Sequence, residues 1–151
     1  MKNLIVKNVN EIQGQTNAEH GNKFTVKTII PEEEVSKCRV NFVEVDPGNY
    51  AYGYHYYGYH YHEVNEEVFY VISGQGAVRT ENGEIMLKAG DAIAFPTGIK
   101  GAHIMRNPSE TEKLVYIDFG TAANPEIVHL LDIKKIMISG MESMGIFDEF
   151  A

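Results

Sequence analysis

His60 and His62 stand one residue apart, Glu67 follows after four more, and Gly74 closes the segment, giving H-x-H-x4-E-x6-G. On a β-strand, side chains alternate between faces, so residues two apart project together. The two imidazoles therefore share one face, and the carboxylate arrives on the next strand. Imidazole and carboxylate held together ligate borderline divalent ions: Zn, Fe, Mn, Ni or Co. A second segment, residues 90–107, supplies His103, which follows the turn formers Pro96 and Gly98 and opens onto Ile104, Met105 and Arg106. His60, His62, Glu67 and His103 then make a set of three nitrogens and one oxygen that leaves coordination positions open for water or substrate. Of the adjacent acids, Glu67 carries this spacing, and Glu66 is expected on the opposite face.

Other groups near these motifs carry weaker signals. Tyr52–Tyr56 and Tyr57–Tyr61 both read YGYHY. A five-residue repeat is out of step with a period of two, so one straight strand cannot present both copies alike. A local duplication held as a lengthened loop or bulged strand is expected. His55 is a weaker ligand candidate, having no histidine two residues after it. The tyrosines between 50 and 61 read as amphipathic wall and interface residues, with Tyr54 or Tyr59 the first candidates for a proton donor at the metal. Phe69 and Val71 share parity with Glu67 and belong to the interior, and Met105 shares parity with His103 and is expected on the cavity wall. Asn107 is expected to cap a turn before Pro108. His20 and His129 read as ordinary surface or core histidines, 32–34 as a solvated acidic turn, and Cys38 as a small buried hydrophobe.

The elements that must position these groups are short. Candidate strands cover 23–30, 39–45, a region ending at His62, 68–72, 76–79, 84–87, 92–95, 102–106 and 113–119, separated by Gly, Pro, Asn and Asp turn signals. That pattern predicts an all-β sandwich or barrel. A helical turn over 31–37 and a short C-terminal helix within 133–147 are also expected. With 151 residues the chain fits one domain with one core. Its net charge of −8 opposes binding to a nucleic-acid backbone or to anionic membranes. No run approaches the ~20 apolar residues of a spanning helix. The first residues lack the pattern of a secretory signal, and the single cysteine forbids an intrachain disulfide, so a cytoplasmic location is expected.

Residues 60–74 and 90–107 together resemble the two signature motifs of the cupin superfamily. The first is carried by His60, His62, Glu67 and Gly74. The second is carried by Gly90, Pro96, Gly98, His103 and Asn107, with two extra residues, Lys100 and Gly101 among them, before the histidine. The leading glycine of the first motif stands far upstream at Gly48, and deleting one YGYHY copy nearly restores the usual spacing. The resemblance covers most of 40–128 and extends to small single-domain cupins. It implies a double-stranded β-helix (jelly-roll) as one domain over 1–151, with the barrel at about 24–128 and the terminal extensions packing on it or on a partner. It further implies a homodimer and a metal on His60, His62, Glu67 and His103. The expected function is a metal-dependent enzyme acting on a small polar organic molecule, by isomerase, lyase or dioxygenase chemistry. The alternative is a non-catalytic cupin that binds or senses a small ligand.

Overall fold

A computed structural model describes residues 4–19, 22–32, 37–52 and 58–150. Two antiparallel sheets face each other across one core, the all-β jelly roll expected. The first sheet runs, in spatial order, β1 (Gln15–Glu19), β2 (Asn22–Ile30), β3 (Cys38–Val45), β10 (Leu114–Thr121), β5 (Glu67–Ser73) and β8 (Ala92–Phe95). The second contains β13 (Met144–Asp148), β12 (Lys135–Ser139), β11 (Glu126–Leu130) and β4 (His60–His62). A further ribbon of β7 (Gly83–Lys88), β6 (Gln75–Thr80) and β9 (Ile104–Arg106) continues it. The join is made by His60 and His103, whose backbones exchange both N–H···O bonds, at 3.2 and 2.9 Å.

Alternation explains how each strand divides its side chains. In β5, Glu67, Phe69 and Val71 point inward while Val68, Tyr70 and Ile72 face out. In β10, Leu114, Tyr116 and Asp118 are buried. These inward rows meet Val43, Val45, Val78 and Leu87 to form the main core. Each fully buried side chain of this kind contributes about 1.5–3 kcal/mol through apolar burial. Met105 belongs to this core, with its sulfur close over Gly76, rather than to the cavity wall expected for it. Asn107 is buried and caps its turn as expected: its Oδ1 accepts from Ser109 N–H, and its Nδ2 donates to the Val45 and Glu112 carbonyls.

The C-terminal expectation is corrected. Residues 135–148 form a β-hairpin, β12 and β13, instead of a short helix. The segment Ile136-Met137-Ile138 is rich in β-branched residues, and Ile138 pairs with Ile127 on the otherwise open edge of β11. Weak helical periodicity loses to that cross-strand pairing. β1 and β11 were not expected as strands. All five residues of β1 are exposed and polar-rich, so no alternation marks it. β11 puts the charged Glu126 in an inward slot. The repeat residues 53–57, with His55, Tyr54 and half of the duplication, lie outside the described residues, as do His20 and most of the 31–37 segment.

His129 ties the C-terminal hairpin to the barrel. Its Nε2 and Nδ1 meet Glu63 and Glu149 at 2.6 and 2.9 Å, and its ring stacks on Tyr61. Burial works against its charge, but the two carboxylates raise its pKa above the ordinary value. These contacts therefore stabilise fully below the unfolded pKa, about 6.5, and fade as pH rises through the folded value. His129→Gln should lower the melting temperature at pH 6 more than at pH 9. The pH-dependent part should stay under about 1 kcal/mol, because both carboxylates are exposed enough to be screened.

Candidate metal centre

The site lies where the two sheets approach each other. β4 supplies His60 and His62, β5 supplies Glu67 at its first position, and His103 enters from the chain leading into β9. Because His60 and His103 are cross-strand neighbours, their rings come to 4.7 Å. Each donates Nδ1–H to a backbone carbonyl, His60 to Gly58 (3.0 Å) and His103 to Gly101 (2.8 Å). A carbonyl only accepts, so this contact fixes the tautomer and turns Nε2, with its lone pair, toward the centre. The two-residue extension before His103 is thus part of the site. Residues Ile99–Gly101 form a 3-10 turn that presents the Gly101 carbonyl, and a Cβ on Gly101 would overlap the Pro96 carbonyl oxygen. Phe95 stacks on the His103 ring at 3.6 Å and holds it in place.

Glu67 is aimed by its neighbours. Its Oε1 accepts from the Arg39 guanidinium, which also donates to Asp118 Oδ2 at 2.8 Å. That leaves Oε2 facing the histidines, 3.1 Å from His103 Nε2, 3.3 Å from His62 Nε2 and 3.9 Å from His60 Nε2. Ligand atoms of His60, His62 and Glu67 lie within 4.8 Å of one another. His103 joins them through its contact with Glu67. Glu66, as expected, is exposed. Arg39 fits because it stands opposite Gly120 in the sheet, where a Cβ would come within 2.8 Å of the guanidinium.

The polar atoms at the centre are buried and unsatisfied. His62 Nε2, His103 Nε2 and Glu67 Oε2 have no hydrogen-bond partner. Such orphaned groups cost about 1–3 kcal/mol each, and a divalent cation would satisfy all three. The donor set of imidazole nitrogens and a carboxylate oxygen suits that role. The charge states of His60 and Glu67 agree with this, whereas His62 must give up a proton to ligate. Burial, reinforced by His103, pushes the His60 pKa down to about 3, so its ring is neutral. Burial alone would raise Glu67, but contacts with His103 and His62 hold it well below the carboxylate range, so it is anionic. For His62 burial is outweighed by Glu126 and Glu67, which lift it to about 9 in the metal-free chain.

Glu126, Arg39 and Asp118 were not among the expected site residues. Glu126 is locked by the backbone N–H groups of Val64, Asn65 and Ile127, and its Oε2 lies 3.5 Å from His62 Nδ1. Asp118 is 2 % exposed, and its Oδ1 makes no hydrogen bond, while the neighbouring Asn41 amide favours its charged form. Burial and the nearby Glu67 raise its pKa to about 6, against the pull of Arg39. One signal for Asp118 and Glu126 was available: each puts a carboxylate in an inward slot of an otherwise apolar alternation.

These groups sit on a cavity of about 380 Å³ whose apolar wall includes Phe69, Val128 and Met137. Of the described tyrosines, Tyr52 lines it. Tyr59, expected as a candidate donor, lines a separate groove beneath the Arg79 guanidinium and is not at the centre. Tyr61 faces His129.

No curated protein matches the sequence. Among solved structures, a candidate sugar phosphate isomerase from Acidithiobacillus ferrooxidans superposes with a TM-score of 0.77 at 22% identity, covering 93% of this chain and 87% of that one. A sugar phosphate isomerase of the cupin superfamily from Silicibacter pomeroyi gives 0.77 at 17% identity, covering 95% of each chain. A predicted oxalate decarboxylase from Thermotoga maritima gives 0.66 at 18% identity, covering 79% of this chain and all of that one. At these identities the likeness establishes the fold. No helix among the described residues is long and apolar enough to cross a membrane. A family profile described as the cupin domain matches residues 41–120, which span the two facing motifs and the strands that carry them, and the chain therefore belongs to the cupin superfamily.

Proposed function

We propose that this cupin is a metal-dependent enzyme acting on a small polar organic molecule by proton-transfer chemistry of the isomerase or lyase type, with the ion held by His60, His62, Glu67 and His103. The observation that carries this is the convergence of three buried, unpartnered atoms, His62 Nε2, His103 Nε2 and Glu67 Oε2, beside an open cavity. A purely structural role would leave those atoms desolvated with only their contacts to one another in compensation. A metal bound there supplies Lewis acidity to a substrate oxygen. Arg39 keeps Glu67 pointed inward, and the Gly58 and Gly101 carbonyls keep two imidazoles in the ligating tautomer. Asp118 Oδ1 is an unspent carboxylate oxygen on the same cavity, suited to accept and return a substrate proton.

Two structurally similar proteins are named as sugar phosphate isomerases, which accords with the reaction type. The donor set accepts Zn, Mn, Fe, Ni or Co. Exposed apolar residues on the outer face of the first sheet, Val68, Tyr70, Ile72 and Phe119, support a homodimer; the cytoplasm is the compartment we assign. The test is a turnover screen of small sugars, keto acids and diketones with the Zn, Mn, Ni and Fe forms, followed by NMR and an oxygen electrode. Isomerised or cleaved product without oxygen uptake is expected. Oxygen consumption with the iron form would move the chemistry to a dioxygenase. Saturable binding with no product would favour the binding or sensing alternative.

A further inference from the structure

The cavity's charge points to the class of substrate. Its described lining carries four acidic side chains, Glu32, Glu67, Asp118 and Glu126, against one guanidinium, Arg39. Arg39 is already committed to two of those carboxylates. A divalent cation at the centre would leave the formal balance negative. Within a cavity walled by Phe69, Val128 and Met137, the local dielectric is low and like charges repel strongly. With His62 committed to the ion and Arg39 to its carboxylates, no described lining residue offers a cation to neutralise a phosphate. Further polar lining residues, Thr28, Asn41, Asn65, Thr121, Asn124 and Ser139 among them, carry hydroxyls and amides that suit uncharged hydrogen-bonding groups. The buried, unpartnered Asp118 Oδ1 is an acceptor that requires a donor.

Resting on the metal-enzyme reading above, we infer that the substrate is an uncharged, polyhydroxylated small molecule, one of whose hydroxyls donates to Asp118 Oδ1, and that its phosphate esters are rejected. The chain thereby differs in ligand charge from the two similar proteins named for sugar phosphates. Like-charge opposition acts on affinity and works against the wrong partner, so the discrimination is readable in binding.

The test is calorimetric titration of metal-loaded full-length protein, with metal content counted in every sample. The probes are neutral aldopentoses, aldohexoses and their alditols, each paired with its terminal phosphate ester. A neutral member should bind at least about tenfold tighter than its ester. Asp118→Asn should weaken that binding by about tenfold or more while the metal content stays at the wild-type value. Should Asp118→Asn fail to fold, Thr28→Lys supplies the second arm: a cation on the wall should narrow the preference or reverse it. Tighter binding of the esters, binding of no neutral member, or wild-type affinity in a folded Asp118→Asn would overturn the inference. Failure of the metal reading shows separately, as neutral-sugar binding by protein that carries no metal.

Discussion

Replacing Arg39 with alanine is expected to destabilise the fold by about 3–5 kcal/mol, among the larger effects of any single change in this chain. The guanidinium is the partner of Glu67 Oε1 and Asp118 Oδ2, and those residues are 5% and 2% exposed. Truncation strands two carboxylates in the interior a short distance apart. One would have to take up a proton, and Asp118, whose pKa burial and Glu67 already push up to about 6, is the one expected to do so. Urea denaturation at pH 7 measures the loss. Arg39→Lys should recover only part of it, because an ammonium lacks the planar fork that reaches two carboxylates at once. A loss under about 1 kcal/mol for Arg39→Ala would show that the pair is solvated like a surface ion pair.

Stripping the metal should produce the second large effect. An ion bound only by the native state stabilises it by an amount that grows with the logarithm of its concentration, about 2.7 kcal/mol at a hundredfold excess over Kd. For a chain of this size that corresponds to a fall of roughly 5–10 °C in melting temperature on chelation. The direction follows from the unsatisfied His62 Nε2, His103 Nε2 and Glu67 Oε2, which regain their cost when the ion leaves. Differential scanning calorimetry with and without EDTA reads the shift, and Glu67→Gln should remove most of it. An unchanged melting temperature in the wild type would mean that the native state holds no ion there.

Some of this was legible in the sequence because local patterns carry it. Strand alternation put His60 with His62 and Phe69 with Val71 on single faces, and turn residues marked most strand ends. His103 was legible as a partner because a strand opening after Pro96 and Gly98 had to pair with something. That it pairs with His60 itself, backbone to backbone, depends on tertiary register that no local pattern encodes. Arg39, Asp118 and Glu126 were missed for the same reason: Arg39 becomes part of the site only because β3, β10 and β5 lie side by side. The C-terminal hairpin was misread because its strands are specified by the free edge of β11 more than by their own periodicity.

Metal content tests the account most directly. Purified protein, loaded with a divalent ion and desalted, is analysed by plasma mass spectrometry alongside His60→Ala and His103→Ala. The account predicts one equivalent of metal per chain in the wild type and none in either variant, with circular dichroism showing both variants folded. Metal retained in both folded variants, or none taken up by the wild type, would contradict it.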